Sequence, residues 1–345
     1  MNFTLLFGGK SYEHEISIVS AISLKNRLDS GLSFIYLDGS CEFYLIPSDK
    51  MRSNFFSTQE YKKCQKIYLK KNGFFIKTLF SEKPLNLPTF INLIHGADGE
   101  DGTISSLLDF YGIPYIGPRT PASVLSFDKE LIKLFANARG VATLPCDILY
   151  RQDEIPANSK FPLIIKPARL GSSIGISVVE SQSELEYALD SAFEFDSKVL
   201  IEPFISGIKE YNLAGYKDKN GFHFSFIEEP EKKKFLDFDK KYLDFSRTSN
   251  AKEATLAESL KQELQNCFIK LYKDAFEGAL IRCDFFIHNN TCYINEINPV
   301  PGSLANYLFS DFKSDLEKLS KNLPKPNDIK VSYALLEKIQ FAKGK

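Results

Sequence analysis

The sequence predicts an α/β protein that becomes α+β in its C-terminal part, and three observations lead to this prediction. First, an apolar strand over residues 1–8 ends in two glycines and is followed by helically spaced apolar residues, which is how a parallel-sheet unit begins. Second, short apolar segments alternate with helical ones between residues 163 and 202. Third, a long amphipathic helix over residues 256–276 precedes two neighbouring apolar strands.

Length and charge exclude several functional classes. The chain has 345 residues, with 43 Lys and Arg against 44 Asp and Glu, so its formal net charge is −1. This balance argues against a nucleic-acid or membrane partner, because it provides no general attraction to polyanions. No apolar run approaches the roughly 18–20 residues of a membrane helix, and the start of the chain has no signal-peptide pattern. The six cysteines form no CxxC pair, so we expect a cytoplasmic protein with reduced thiols.

The first 118 residues are predicted to form the parallel-sheet domain. Strands are expected over residues 1–8, 90–94 and 114–116, and a helix is expected directly after the first strand. Residues 32–80 carry short aromatic segments among lysine-rich ones, and this pattern predicts a hairpin or two added to the domain. A change in composition at residues 118–121 marks the end of the domain.

Later elements are predicted from periodicity and from turn residues. An amphipathic helix is expected over residues 126–138, ended by Gly140. A charged, irregular stretch over residues 229–244 predicts a surface loop that could act as a lid. The two strands after the long helix are expected over residues 279–287 and 292–297.

A Gly/Ser-rich turn is the first candidate site. Gly171, Ser172 and Ser173 follow the strand that carries Lys166. Backbone N–H groups of such a turn can surround phosphate oxygens, and the lysine supplies a positive charge. A plain hairpin turn with an incidental lysine explains the same residues, so the turn alone leaves both interpretations open.

Charged and amide side chains on the last two strands form the second candidate site. Arg282 and Asp284 share one strand face, and Glu296 and Asn298 share a face of the next strand. Three oxygen donors suit a hard cation such as Mg²⁺, and a neighbouring arginine suits a developing anion. A solvated sheet face with ion pairs is the alternative, but charges within two apolar strands are costly unless they are paired or metal-bound.

The connection between these two strands determines whether the carboxylates meet. Asp284 faces Glu296 directly only if the connection has an odd number of residues, such as residues 289–291. A two-residue turn at Asn289 and Asn290 would place the carboxylates on opposite faces unless a bulge intervenes. The carboxylates therefore meet either through an odd connection or through a two-residue turn combined with a bulge.

Two further loops follow predicted strands. His95 begins a glycine-dense acidic loop with Glu100 and Asp101, at the end of a strand where α/β sheets bind ligands. For His95 itself we favour a structural hydrogen-bonding role. Residues 298–303 contain two prolines and a glycine, which fits either a simple chain reversal or backbone N–H groups that point into a site.

At this point the motifs resemble those of the D-alanine–D-alanine ligases of the ATP-grasp superfamily. Two long signatures carry the resemblance: His95-Gly96-x-x-Gly99-Glu100-Asp101-Gly102-x-Ile104, and Arg282-Cys283-Asp284-Phe285-Phe286 followed by Ile294-x-Glu296-Ile297-Asn298-Pro299-x-Pro301-Gly302. Shorter matches add Gly8-Gly9-x-Ser11-x-Glu13-x-Glu15-x-Ser17, Asp128-Lys129, Ile165-Lys166-Pro167, Gly171-Ser172-Ser173-x-Gly175 and Lys241-Tyr242. They occur in the family's order and span almost the whole chain.

The resemblance implies an ATP-grasp fold with three domains. These are an N-terminal substrate-binding domain over residues 1–118, a central ATP-grasp subdomain over 119–205, and a C-terminal ATP-grasp domain with the metal site over 206–345. It further implies ATP-dependent ligation of two D-alanines through an acyl phosphate, in the synthesis of peptidoglycan precursors. ATP and two Mg²⁺ or Mn²⁺ ions are the implied cofactors, and a homodimer is the implied assembly.

The resemblance also assigns roles to individual residues. The implied catalytic residues are Glu13, Ser172, Tyr242, Arg282 and the Gly302 N–H, the last two as an oxyanion hole. The implied ATP-binding residues are Lys129, Lys166, Gly171, Ser173, Glu202, Phe204, Ile205, Glu210, Phe235 and Lys241. The implied metal ligands are Asp284, Glu296 and Asn298.

The chain departs from the family pattern after the metal strand. The serine that binds the carboxylate of the second substrate in many family members falls near Tyr307 here. An ATP-grasp ligase with a different amino-acid specificity is therefore the main alternative.

Other functional classes fit less well. A silent nucleotide-binding module would be expected to lack Arg282 or a metal ligand. A nicotinamide oxidoreductase would need GxGxxG after the first strand. Gly9-Lys10-Ser11 is not the end of a P-loop, because Thr4 stands where that motif needs a glycine.

Overall fold

In the computed structural model the chain folds around three β-sheets. The structure describes residues 2–28, 31–155, 160–230, 251–325 and 329–342. Each sheet takes its strands from one continuous stretch of the chain. In the described part of the chain, no helix has both the length and the apolarity needed to cross a lipid bilayer.

The first sheet has eight strands in the order β6-β5-β4-β3-β2-β1-β7-β8. Its strands are β1 Phe3–Gly8, β2 Leu32–Leu37, β3 Phe43–Ile46, β4 Gln65–Lys70, β5 Gly73–Lys77, β6 Glu82–Pro84, β7 Phe90–Asn92 and β8 Tyr115–Ile116. Strands β2, β1, β7 and β8 pair in parallel, which confirms the predicted parallel sheet. Helices α1 His14–Leu28, α2 Ser53–Ser57 and α3 Thr103–Phe110 accompany this sheet, with 3-10 turns at Ser48–Lys50 and Glu60–Lys63.

The aromatic stretch at residues 32–80 extends this sheet by antiparallel pairing, as the hairpin prediction required. Its aromatic residues have a packing role. The Tyr36 ring contacts Phe7, Phe56 and Tyr61, with ring centroids 4.6–5.5 Å apart. Aromatic rings in such tilted and edge-on contacts fill a core efficiently. Residues 32–80 therefore supply one side of the N-terminal core.

The second sheet has four antiparallel strands in the order β11-β10-β12-β9. They are β9 Asp147–Tyr150, β10 Leu163–Pro167, β11 Ser177–Val179 and β12 Lys198–Pro203, and α6 Gln182–Phe193 packs on them. This sheet carries Lys166 in β10 and Glu202 in β12.

The predicted helix over residues 126–138 is two helices. They are α4 Thr120–Phe127 and α5 Lys129–Ala138, separated by Asp128 in an extended conformation. The Asp128 carboxylate accepts hydrogen bonds from the backbone N–H groups of Glu130 and Leu131, at 2.9 and 3.3 Å. An N-terminal cap of this kind starts a new helix. The break places Lys129 in the first turn of α5.

The third sheet has the order β14-β13-β15-β16, with antiparallel neighbours. Its strands are β13 Lys209–Asp218, β14 Gly221–Phe224, β15 Ile281–His288 and β16 Thr291–Asn298. Helix α7 Glu258–Tyr272 packs on this sheet, and a 3-10 segment Gly302–Leu308, helix α8 Phe312–Ser320 and helix α9 Ala334–Ala342 follow. Ala214 and Tyr216 of β13 share one apolar core with residues of α1 and β1, so the first and third sheets are packed together.

Candidate active site

The strands β15 and β16 meet through a two-residue turn and a β-bulge. His288 pairs with Thr291, so the turn consists of Asn289 and Asn290, both with positive φ. Of the two connections that the sequence left open, the structure thus has the two-residue turn, for which a bulge is required. The register shifts between Asp284 and Phe285, leaving Asn295 as the extra residue of β16. Because a bulge moves later residues to the other face, Asp284 still faces Glu296.

Arg282 and Asp284 form a buried ion pair on β15. The guanidinium donates from Nε to Asp284 Oδ1 at 2.6 Å and from Nη2 to Oδ2 at 2.7 Å. Asn298 Nδ2 donates to the same Oδ2 at 3.0 Å. Burial raises the pKa of Asp284, and Arg282 opposes that rise. The structure thus brings Arg282, Asp284, Glu296 and Asn298 together, as predicted from the sequence.

The donor set at this place fits a divalent cation. Asp284 and Glu296 provide carboxylate oxygens on directly opposed strands, and Asn298 provides an amide oxygen. The negative charge of Glu296 further raises the pKa of Asp284, so a cation between the two carboxylates would relieve their repulsion. No cluster of three or more His, Cys, Asp or Glu with metal-binding geometry occurs in the described ranges, so the amide oxygen is needed to complete the set. Hard oxygen ligands of this kind are those of Mg²⁺ and Mn²⁺.

Three lysines surround the turn and the end of the second sheet. Lys129 Nζ donates to the Leu170 carbonyl at 2.6 Å, directly before the Gly/Ser turn. Burial lowers the pKa of Lys129, and Glu296 opposes that change. Lys166 Nζ lies 2.6 Å from Glu202 Oε2, and Lys133 Nζ lies 2.5 Å from Glu202 Oε1. Lys133 was not identified from the sequence, although its spacing of four residues from Lys129 places both on one face of α5.

The Gly/Ser turn closes on Glu13. Ser172 Oγ donates to Glu13 Oε1 at 2.5 Å, across 159 residues of sequence. A Cβ atom at Gly171 would lie 2.8 Å from Glu13 Oε1, and one at Gly96 would lie 2.8 Å from Oε2, so a side chain at either position would displace the Glu13 carboxylate. Glu13 is 6% exposed, and its Oε2 has no hydrogen-bond partner within the described residues. A buried carboxylate oxygen without a partner is costly, which marks a place where a cationic ligand would bind.

Burial also changes the pKa of Glu13. It raises the pKa of this carboxyl, Glu100 raises it further, and the Ser172 hydroxyl opposes both.

His95 has the structural position that the sequence suggested. It is 4% exposed, and burial lowers its pKa to about 4, so the ring is neutral near pH 7. Its Nδ1 lies 3.4 Å from Glu100 Oε1, and its Nε2 lies 2.9 Å from Ser20 Oγ. The Ser20 oxygen also accepts a hydrogen bond from the Ser303 N–H at 3.0 Å. The chain of contacts anchors the turn after Gly302 to helix α1.

The raised pKa of Glu100 should make the stability of the fold depend on pH. Burial raises the pKa of Glu100 to about 8, so its contribution to stability is fully present below about pH 4.5 and is lost as pH rises through 8. Glu100→Gln mimics the protonated acid. We expect its melting temperature to fall less than that of the wild type between pH 6 and pH 8.5. Parallel melting curves with equal slopes against pH would contradict this, and Asp101→Asn provides the matched control.

The remaining predicted ATP residues lie near the end of the second sheet. Phe204 and Ile205 directly follow β12, and Glu210 is at the start of β13, opposite Phe286. The Phe204 N–H donates to the Pro162 carbonyl at 3.0 Å. Ser173 lies in the Gly/Ser turn with a positive φ of 61°, and Gly302 begins the 3-10 segment after Pro301. Phe235, Lys241 and Tyr242 lie outside the described residues, as does the loop of residues 229–244 from residue 231 onward.

Tyr307 is a further side chain at this site. Burial raises the pKa of its hydroxyl group, and the positive charge of the neighbouring Arg282 opposes that rise. The position is the one where the sequence departs from the pattern of the resembling family. The structure therefore places a phenol beside the arginine at that position.

The chain is similar to known proteins along its whole length. The family model for the D-Ala–D-Ala ligase N-terminus matches residues 2–118, and the model for the C-terminus matches residues 146–314. A D-alanine–D-alanine ligase of Wolinella succinogenes is 56% identical over 345 residues, covering 100% of both chains. One from Helicobacter hepaticus is 55% identical over 350 residues, again covering 100% of both.

Solved structures show the same fold. The crystal structure of the D-alanine–D-alanine ligase from Helicobacter pylori has a TM-score of 0.86 and 49% identity, covering 95% of this chain and 100% of that one. The VanG D-Ala:D-Ser ligase from Enterococcus faecalis has a TM-score of 0.72 and 24% identity, covering 92% of this chain and 98% of that one, and this likeness concerns the fold alone. The fold is thus ATP-grasp, and with full-length relatives above 50% identity the chain belongs to the D-alanine–D-alanine ligase family.

Proposed function

We propose that the protein joins two D-alanines to D-alanyl-D-alanine, with ATP converted to ADP and phosphate. One observation carries the proposal: the buried Glu13 carboxylate, with one oxygen held by Ser172 and the other without a partner in the described residues. That oxygen can receive the ammonium group of an amino acid next to a turn suited to phosphate. Family membership and the relatives' names support the same activity.

The nucleotide would lie between the second and third sheets. We assign Lys129 and Lys166 to the ATP phosphates, together with the backbone of Gly171 and the hydroxyl of Ser173. The adenosine part is assigned to the end of β12 and the segment that follows it. The residues in this set are Glu202, Phe204, Ile205 and Glu210, with Phe235 from the part outside the described residues. Lys241, which also lies outside the described residues, is assigned to the phosphates. Lys129 lies at the start of α5 and Lys166 lies in β10, so two separate elements supply positive charge, which suits a cradle around a triphosphate.

Two divalent cations, Mg²⁺ or Mn²⁺, are proposed for Asp284, Glu296 and Asn298. Bound there, they would neutralise phosphate charge, the main need in phosphoryl transfer. The chain's own contribution is to hold the two carboxylates opposite each other through the bulge at Asn295.

Two chemical steps follow from this arrangement. The carboxylate of the first D-alanine attacks the γ-phosphoryl group, giving an acyl phosphate and ADP. The amine of the second D-alanine then attacks the acyl carbon, and phosphate leaves after a tetrahedral oxyanion has formed. Arg282 and the Gly302 N–H are proposed to stabilise this oxyanion. Glu13, Ser172 and Tyr242 are proposed to position the amino acids and to help deprotonate the incoming amine.

Several broader assignments complete the proposal. We assign the domains to residues 1–118, 119–205 and 206–345, since the first sheet ends at Ile116, the second at Pro203, and the third begins at Lys209. A homodimer in the cytoplasm is proposed from the family and from the use of ATP.

A ligase with another second substrate is the alternative, and Tyr307 is the observation that favours it. This residue lies beside Arg282, near the position where many family members have a serine. A phenol in place of a small hydroxyl group changes the shape available to the incoming amino acid.

Coupled ADP release distinguishes these functions. We expect turnover with D-alanine and much less with L-alanine, D-serine or D-lactate, with dipeptide formation followed by mass spectrometry. A higher kcat/KM for D-serine as the second substrate would establish the alternative. ATP hydrolysis that no amino acid stimulates would overturn both.

A further inference from the structure

A buried group of three charged residues lies at the base of the proposed nucleotide site. Lys133, Lys166 and Glu202 are 6%, 8% and 2% exposed. Glu202 Oε1 lies 2.5 Å from Lys133 Nζ, and Oε2 lies 2.6 Å from Lys166 Nζ. The carboxylate is therefore shared by two ammonium groups, each on its own oxygen.

The charges in this group do not cancel. Burial alone would raise the pKa of Glu202, but the two lysines lower it, so the carboxylate is ionised. Two ammonium groups against one carboxylate leave a net charge of about +1 in a place with little water, where electrostatic interactions are stronger than at the surface. Such an excess positive charge attracts an anion.

The two lysines differ in their other contacts. Lys133 Nζ donates to the Leu144 carbonyl at 3.1 Å, which holds it on the α5 side of the carboxylate. Lys166 Nζ instead lies 3.4 Å from Asn295 Oδ1, the residue of the bulge next to the metal strand. The excess charge is thus available on the Lys166 side, toward Asn295.

We propose that Lys133 is a positioning residue that keeps Lys166 available for the phosphate groups of ATP. By taking one oxygen of Glu202, it prevents this carboxylate from neutralising Lys166. Without Lys133, Glu202 and Lys166 would form a one-to-one pair, and the site would lose its net positive charge. This inference rests on the proposed function only in taking Lys166 as a phosphate ligand.

The test is a double-mutant cycle in nucleotide binding. Isothermal titration calorimetry with MgCl₂ would measure ATP, ADP and adenosine binding to the full chain, for Lys133→Met in the wild-type and in the Glu202→Gln background. We expect Lys133→Met to weaken ATP and ADP binding roughly 10-fold in the wild type and less than roughly 3-fold beside Glu202→Gln, because the neutral amide no longer competes for Lys166. Adenosine binding should change by less than about 2-fold, since adenosine has no phosphate.

Three further variants separate charge from packing. Lys133→Arg keeps the charge and should bind ATP within roughly 3-fold of the wild type. Lys133→Gln keeps a hydrogen-bonding group without the charge, should behave like Lys133→Met, and carries the test if Lys133→Met does not fold. Leu134→Met, at an exposed position on the same helix, controls for a change in α5 itself. In steady-state kinetics Lys133→Met should raise the KM for ATP far more than the KM for D-alanine.

The outcomes separate this inference from the proposed function. An equal loss of ATP affinity in both backgrounds, or an equal loss for adenosine, would show that Lys133 only supports the fold. If Lys133 and Glu202 are coupled in ATP binding but D-alanine is not ligated, the role of Lys133 stands and the proposed function fails. If D-alanine is ligated but the two residues show no coupling, the proposed function stands and the role of Lys133 fails.

Discussion

Replacing Arg282 by alanine is expected to lower the kcat for D-alanine ligation by roughly 10²- to 10³-fold or more, which is the usual cost of removing one oxyanion-stabilising group. Arg282 has the only guanidinium that the described residues place on the metal-binding strands, and it lies beside Asp284. The reaction passes through an oxyanion whose charge must be stabilised as it forms. Coupled ADP release with saturating D-alanine would measure the loss.

The binding of ATP should change much less in Arg282→Ala, so calorimetry and turnover should separate. A secondary effect is expected at the metal site. Asp284 loses the cation that opposes the rise of its pKa, so the Mg²⁺ concentration for half-maximal activity should increase. Arg282→Lys, which keeps a charge but loses the bidentate pairing, should show an intermediate rate. Near-normal turnover of Arg282→Ala would rule out the oxyanion role.

Periodicity predicted the parts of this fold in which one face of an element is buried. The parallel arrangement of β1, β7 and β8 and the pairing of β15 with β16 follow from apolar runs bounded by glycine, asparagine and proline. Such runs are a local property of the chain. The antiparallel extension over residues 32–80 was predicted only as hairpins, because partner choice among short strands depends on the aromatic core around Tyr36.

Two local features could not be determined from the sequence pattern, each for its own reason. At Asp128 the helical pattern continues through a residue that caps the next helix, and the side-chain hydrogen bonds outweigh the apolar periodicity. At Asn295 the bulge allows a tight two-residue turn and still brings the carboxylates face to face. No residue type is specific to a bulge, so the alternation of apolar and polar residues along β16 does not reveal it.

The candidate site was predictable where a motif carries the chemistry. Arg282, Asp284, Glu296 and Asn298 occur in two signature segments, and the structure brings them together. Lys133 was missed because its role depends on sharing Glu202 with Lys166, a contact between α5, β10 and β12 that no sequence spacing specifies. The contact of Tyr307 with Arg282 is equally a property of the folded chain.

Glu13→Gln is expected to lower kcat/KM for D-alanine roughly 10- to 100-fold, because one charge-assisted hydrogen bond to an ammonium group is worth about 1.5–3 kcal/mol. Glutamine fills the same space, and its carbonyl can still accept from Ser172, so the Gly/Ser turn should remain in place. The affinity for ATP should therefore be unchanged, in contrast to Lys133→Met. Initial rates at varied D-alanine and fixed ATP measure the effect.

The dependence of this effect on pH gives a second, independent readout. Burial raises the pKa of Glu13, so the wild-type kcat/KM should fall as pH decreases through that raised value, where the carboxylate becomes protonated and loses its attraction for the ammonium group. Glu13→Gln should remove this acid limb, because the amide does not titrate. A wild-type KM for D-alanine in Glu13→Gln, or an unchanged acid limb, would show that Glu13 does not bind the substrate's ammonium group. The Glu13 oxygen that has no partner in the described residues would then serve another ligand.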